Sequence, residues 1–174
     1  MKNTYKFFLA AVAWLVFATT ANAQATASAS STATIVTPIS ITKNVDMNFG
    51  NIAVQAGTGG TVALAASAAA TRVTGGAGGV TLPVVTGTVT AAQFTVNGTA
   101  NYLYHITLPA DNTITLVNGG NLMHADLFNN SVAGTLDNTG TQSFYVGATL
   151  TVAAAQASGV YTTATPFNVT VNYN

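Results

Sequence analysis

The chain has 174 residues, a formal net charge of zero, no cysteine and only 5% charged residues. Beyond residue 23 its charged side chains are those of Lys43, Arg72 and four aspartates, which leaves few groups for acid–base, nucleophilic or metal chemistry. Two cations also cannot neutralise a run of phosphates or hold the chain on anionic lipid. We therefore expect a protein that is not an enzyme, has no catalytic or metal site, needs no cofactor, and binds neither nucleic acid nor the membrane surface.

Residues 1–23 have the three parts of a secretory signal peptide. Lys2 and Lys6 precede an apolar run at residues 7–17, and the Ala-Asn-Ala sequence that ends at Ala23 is a small-x-small cleavage site. The apolar run is too short to span a bilayer. These features predict an exported protein that passes through the periplasm and then reaches the cell surface or the extracellular space, without insertion in the membrane.

Residues 24–34 form a low-complexity extension, made mostly of Ala, Ser and Thr. An alternating pattern begins there and continues to residue 49, which predicts one extended ribbon with its odd-numbered side chains on an inner face. The start of this face makes up a candidate donor strand: Ala25, Ala27, Ala29, Ala33 and Ile35. The same segment is equally typical of a disordered leader before a complete domain, and the sequence leaves both interpretations open.

Period-two patterns and turn residues continue through residues 35–174. Two short strands are predicted within residues 56–79, a stretch rich in Gly and Ala. A meander of strands is predicted over residues 94–128. Its hairpin turns are predicted at two Asn-Gly dipeptides, Asn97-Gly98 and Asn118-Gly119.

The last two predicted strands alternate most regularly. They cover residues 144–152 and 167–173, and the connector at residues 153–158 is predicted to hold one helical turn. The last strand has four side chains that are predicted to face the core: Phe167, Val169, Val171 and Tyr173. About eight to ten short strands predict one domain over residues 35–174, an all-β, antiparallel, immunoglobulin-like β-sandwich.

Few side chains are candidates for binding a ligand. Tyr102 and Tyr104 fall on one face of a predicted strand and form a weak candidate platform for a sugar ring, although half-buried tyrosines that anchor a sheet are more common. His124 and Asp126 share a strand face, but two ligands do not make a metal site, and a solvated face is the better interpretation. The same interpretation holds for His105, on the face opposite the two tyrosines.

Both ends of the chain resemble the subunits of chaperone–usher fimbriae and related spore-coat-like exported β domains. The resemblance rests on the signal peptide, the alternating extension, residues 46–50 (DMNFG), residues 159–161 (GVY) and the end of the chain at residues 167–174 (FNVTVNYN). The chain also resembles a family of cysteine-free bacterial secreted β domains. The fimbrial resemblance implies an incomplete sandwich, whose missing strand is supplied by the N-terminal extension of the next subunit.

This resemblance implies a structural subunit of a fimbria-like surface polymer that assembles by donor-strand exchange. Its partners would be further copies of the chain, a periplasmic chaperone and an outer-membrane usher, and the terminal strand would line the acceptor groove. The sequence also allows an alternative function. In that alternative the protein is a monomeric secreted β-sandwich module, which binds carbohydrate or a surface through its loops or through Tyr102 and Tyr104.

Overall fold

The computed structural model describes residues 23–174, so the predicted signal peptide lies, apart from Ala23, outside the described residues. Within that range the secondary structure consists of strands and turns with no helix, and the all-β prediction is confirmed. Accordingly, none of the described residues belongs to a helix with the length and apolarity needed to cross a membrane. The chain divides into a unit that ends at Ile35 and a compact domain, Val36–Asn174.

The domain contains twelve strands among the described residues, and several are only two residues long. Their bounds are β1 Ser40–Val45, β2 Ala53–Val54, β3 Gly60–Leu64, β4 Arg72–Gly75, β5 Val80–Thr81, β6 Ala92–Asn97, β7 Tyr104–Thr107, β8 Ile114–Asn118, β9 Asn121–Asn130, β10 Thr141–Val152, β11 Thr162–Thr163 and β12 Thr170–Tyr173.

The main sheet is antiparallel and is organised around the long strand β10. Its strand order is β1-β6-β10-β9-β8-β11, and β3 and β4 are joined to it through β10. The first half of β10 pairs with β6 and the second half pairs with β3. Gly147 lies between the two halves, where a Cβ atom would overlap the carbonyl oxygen of Leu64. Because Gly147 has no side chain, β10 can pair with both β6 and β3.

Two smaller sheets, β7–β12 and β2–β5, pack against the main sheet. The apolar side chains form two clusters. One is formed largely by β3, β8, β9 and the second half of β10. The other lies among β6, the first half of β10, β7 and β12, and its buried members are Ala92, Phe94, Val96, Tyr104, Leu136, Phe144, Val146 and Val171. Side chains of two layers thus meet in a sandwich-like core, as the predicted fold class requires.

The strand order corresponds to that of an immunoglobulin-like sandwich, in which strands A, B, E and D form one sheet and C, F and G form the other. In chain order β1, β6, β7, β9, β10 and β12 take the places of A to F, because β1-β6-β10-β9 are neighbours in one sheet and β7-β12 in another. Strands β2 to β5 are inserted between A and B. No strand of the described residues takes the place of G beside β12.

The two Asn-Gly dipeptides have different outcomes. The hairpin at Asn118-Gly119 is confirmed, since β8 and β9 pair up to Asn118 and Asn121. The hairpin at Asn97-Gly98 is wrong, because β6 and β7 belong to different sheets. Gly98 is required there for another reason: a Cβ atom would overlap the hydroxyl of Tyr173.

Two further predictions of local structure are wrong. Residues 153–158 form a turn rather than a helical turn, and Ala155 has a φ of 52°, which is outside the helical region. The continuous ribbon over residues 25–49 is also wrong, because the first strand begins only at Ser40. Residues 23–39 have no ladder partner among the described residues, and a strand needs one to satisfy its backbone groups.

Candidate functional site

The most distinctive site is the strip between two strand edges that have no partner in the part of the chain that the structure describes. There β1 pairs with β6 alone, and β12 pairs with β7 alone. The two strands are neighbours in space, but among the described residues no backbone ladder joins them. We call this strip, bounded by the free edges of β1 and β12, the β1–β12 groove. Unpaired edges of this kind are templates for another strand.

The walls of the groove are apolar and incompletely covered. Several hydrophobic side chains of these two strands and of the residues beside them pack against the second cluster but stay half-buried: Ile39, Ile41, Phe167, Val169 and Tyr173. The cluster that they cover is itself closed, because its members Tyr104 and Phe144 are 1% and 0% exposed. The groove therefore has apolar walls that pack on a filled core.

The terminal strand has the alternation that the sequence indicates. Val171 is buried at 7% exposure, and Phe167, Val169 and Tyr173 are half-buried on the same side. The intervening residues are exposed: Asn168, Thr170 and Asn172. The strand assignment itself covers only the last part of this run, Thr170–Tyr173.

One end of the groove is closed by a cluster that we call the Tyr173 junction, formed by Thr37, Gly98, Thr99, Tyr102 and Tyr173. The Tyr173 hydroxyl accepts the backbone N–H of Thr99 at 2.7 Å and donates to the carbonyl oxygen of Thr37 at 2.8 Å. The N–H of Thr37 donates to the hydroxyl of Thr99 at 3.0 Å. The ring of Tyr102 meets that of Tyr173 edge-on, with centroids 5.6 Å apart.

The candidate donor strand lies in the other unit of the chain. All of its side chains are exposed: Ala25, Ala27, Ala29, Ala33 and Ile35. Ile35, the largest of them, is 97% exposed. The segment includes no strand in the described residues. Its apolar face is thus present in the sequence and stays uncovered among residues 23–174.

The tyrosine platform is wrong as a ligand site. Tyr104 is buried at 1% exposure and its hydroxyl donates to Oε1 of Gln142 at 2.6 Å, whereas Tyr102 is 43% exposed. Burial also raises the pKa of Tyr104 above its ordinary value, because the charged phenolate would be desolvated. The two rings share no exposed face, because Tyr102 precedes β7 and is at the surface, whereas Tyr104 is the first residue of β7 and is buried.

The two histidines lie at the surface of their sheets, and Asp126 is half-buried. His105 and His124 are exposed, and Nδ1 of His124 lies 3.3 Å from the hydroxyl of Thr115. Asp126 accepts the backbone N–H of Asn112 at 2.6 Å and so fastens the turn before β8. Within residues 23–174, no three or more His, Cys, Asp or Glu side chains come together in a group able to hold a metal ion.

The DMNFG segment is a structural turn that Arg72 holds in place. Gly50 has a φ of 68°, and its N–H donates to Oδ1 of Asn48 at 2.8 Å. Nη1 of Arg72 donates to the carbonyl oxygens on both sides of this glycine, those of Phe49 at 2.6 Å and Asn51 at 2.8 Å. Sequence reasoning assigned no role to Arg72, although it is the single arginine of the chain beyond residue 23.

Comparison with protein families identifies the domain. A family model described as a domain of unknown function (DUF4402) matches residues 39–173. The chain therefore belongs to the DUF4402 family, whose domain begins at Ile39 and takes in every strand from β1 to β12. No curated protein and no solved structure matches the chain.

Proposed function

We propose that this protein is a structural subunit of a fimbria-like surface polymer, in which the extension of one copy fills the β1–β12 groove of the next. The observation that carries the proposal is the strand order. Strands A to F of an immunoglobulin-like sandwich are present, and no strand among the described residues occupies the place of G beside β12.

The acceptor side of the proposal rests on the free edges of β1 and β12. A strand that adds to the free edge of β12 would satisfy the backbone groups of that edge and cover the half-buried side chains of Ile41 and Val169. An exposed apolar edge is otherwise a site of aggregation. The groove has the chemistry of a strand acceptor, since it provides backbone groups with which a new strand can pair, an apolar wall, and no charged side chain from β12.

The donor side rests on the composition of the extension. Its odd-numbered face is small and, apart from Ser31, apolar, while its even-numbered residues are polar from Thr26 to Thr34. Burial of a large aliphatic side chain such as that of Ile35 contributes about 1.5–3 kcal/mol, and Ala contributes less. Small donor side chains suit this acceptor, because the cluster beside the groove is already filled by fully buried side chains such as those of Tyr104 and Phe144.

The proposal also implies a route of export and two kinds of partner protein. A signal peptide at residues 1–23 would direct the chain to the periplasm and then to the cell surface. An open groove would need cover on the way, which is the task of a periplasmic chaperone, and an outer-membrane usher would organise the exchange of strands. No enzymatic activity and no cofactor enter this function.

The experiment that tests the proposal deletes residues 24–34 from the exported chain. The full chain is expected to form polymers in cell-surface fractions, and the deletion variant is expected to lose them while it keeps the circular dichroism of the domain. A matched variant carries residues 24–35 after Asn174 through a Gly/Ser linker. It should fill its own groove and give a monomer with a higher melting temperature than the deletion variant.

One result would overturn the proposal. If the full chain is monomeric and the deletion variant melts at the same temperature, the extension fills no groove. That result would favour the alternative of a monomeric secreted binding module. Such a module would then have to bind through its loops, because the buried position of Tyr104 removes the platform that it shared with Tyr102.

A further inference from the structure

We propose that the Tyr173 junction is a stop that fixes the register of the incoming strand. This inference rests on the proposed function and concerns the alignment of the donor rather than its presence. The junction lies at one end of the β1–β12 groove, because Thr37 precedes β1 and Tyr173 is the last residue of β12.

The junction ties the two walls of the groove together through one phenol ring. The hydroxyl of Tyr173 is held from both sides, by the N–H of Thr99 and the carbonyl oxygen of Thr37. The phenol therefore bridges the two walls at this point, and a strand that extended past it would have to break both hydrogen bonds. A strand that adds to the edge of β12 is expected to end when it reaches Tyr173.

The surroundings of the phenol make this closed end rigid. Gly98 gives the hydroxyl its space, since a Cβ atom there would overlap it. On another side the ring of Tyr102 packs edge-on against that of Tyr173 at 5.6 Å. With both hydrogen bonds and this aromatic contact in place, the phenol has little freedom to swing aside.

A stop is needed because the donor does not specify its own register well. Its inner face repeats Ala at positions 25, 27, 29 and 33, with Ser31 between them. A slip of two residues keeps the same face inward and exchanges one small side chain for another, Ala for Ala or Ala for Ser. Only Ile35 differs greatly in size. A fixed end of the groove would remove this degeneracy, and each subunit would join the next at the same spacing.

The experiment maps the register with single introduced cysteines, which the cysteine-free chain makes unambiguous. One full chain carries Thr170→Cys, on the exposed side of β12. A second full chain carries one cysteine on the even-numbered face of its extension. The two are exported together, oxidised, and analysed by mass spectrometry, with the donor cysteine moved in turn through positions Thr26, Ser28, Ser30, Thr32 and Thr34. Directly opposed residues on neighbouring strands come close enough for a disulfide.

One donor position is expected to dominate the cross-links with the otherwise unchanged acceptor. Tyr173→Phe in the acceptor removes both hydrogen bonds of the phenol and keeps its ring. The preference for the main position over those two residues away should fall about five-fold or more, because the net loss of even one of the two hydrogen bonds produces a change of about that size. Thr99→Ala removes the hydroxyl that accepts the N–H of Thr37 at 3.0 Å and donates to the carbonyl oxygen of Thr37 at 3.5 Å, but it leaves both bonds of the phenol. It should shift the pattern in the same direction by a smaller factor.

The matched control is Tyr102→Phe, which alters a tyrosine of the same junction and leaves the bonds of Tyr173 intact. Its cross-linking pattern should equal that of the parent. A single register that persists in both Tyr173→Phe and Thr99→Ala would overturn the stop and leave strand exchange standing. The lack of any cross-link with the parent acceptor would instead overturn strand exchange, and the stop with it.

Discussion

The phenol of Tyr104 donates a hydrogen bond of 2.6 Å to Oε1 of Gln142, and the same oxygen accepts the backbone N–H of Thr135 at 3.2 Å. Tyr104 belongs to the small sheet and Gln142 to the main sheet, so the bond joins the two layers of the sandwich. The phenol is 1% exposed and has a partner for its only proton. This pair explains why Tyr104 is a core residue.

The first prediction concerns this pair. Tyr104→Phe keeps the ring and removes the bond to Gln142, and should lower the free energy of unfolding by about 1 kcal/mol. The loss stays modest because Oε1 of Gln142 keeps the N–H of Thr135 as a partner. Denaturant unfolding measures it. Tyr102→Phe is the control and should cause little change, and equal losses at both positions would contradict the assigned roles.

The second prediction concerns the pH dependence that Asp137 confers. Hydrogen bonds from the N–H of Thr141, and from the hydroxyl and N–H of Thr139, lower the pKa of this carboxyl below its ordinary value. Since the folded pKa is lower than the unfolded one, the stabilisation is present above about pH 4 and is lost as the pH falls through the folded pKa.

The measurement compares the unfolding free energy of the parent chain and Asp137→Asn across that range. The parent should be the more stable near neutral pH, and the difference should shrink as the pH falls below about 4. Thr139→Ala removes one of the donors and should show the same trend with a smaller amplitude. A difference that grows on acidification would show that the carboxylate is not stabilised in the folded turn.

The third prediction tests the inward face of β12. Val171→Asp would place a carboxylate in the second cluster, where Val171 is only 7% exposed, and should cost roughly 3–5 kcal/mol, as expected for an unpaired buried charge. Thr170→Asp adds the same charge one residue earlier on the exposed side and should be almost silent. Thermal melting of the two variants decides the matter, and similar melting temperatures would show that the strand faces are misassigned.

The sequence predicts the strands best where local pattern and tertiary structure agree. In β10 the alternating residues from Phe144 to Val152 are all buried at 3% exposure or less on their inward side. The turn at Asn118-Gly119 follows from its dipeptide alone, because β8 and β9 are neighbours in both sequence and space. Such elements need no knowledge of distant residues.

Other features depend on partners far along the chain. Asn97-Gly98 has the same local signal as Asn118-Gly119, yet its glycine is needed by Tyr173, which approaches from the end of the domain. Tyr104 is buried, and its hydroxyl is bonded to Gln142 of β10. The alternation of Tyr104 with its neighbour His105 could not show by itself whether the tyrosine is an exposed platform residue or a core residue. The groove is visible only once β1 and β12 are both placed, so no local motif could indicate it.

The last prediction uses the alternation of the extension itself. Ile35 is on its apolar face and Thr34 on its polar face, and both side chains are exposed in the isolated chain. Ile35→Asp and Thr34→Asp therefore add the same charge to neighbouring exposed residues. Neither should change the melting temperature of the monomeric domain, because neither residue belongs to its core.

The two variants should differ in assembly. In the proposed polymer residue 35 enters the apolar groove of the next copy, where a carboxylate would be desolvated without a partner. Residue 34 stays on the outer side of the added strand, where a carboxylate remains in water. Ile35→Asp should therefore abolish high-molecular-mass species in sedimentation or shear-fraction assays, and Thr34→Asp should retain them. If both variants polymerise like the parent chain, the odd-numbered face of the extension is not the face that enters the groove.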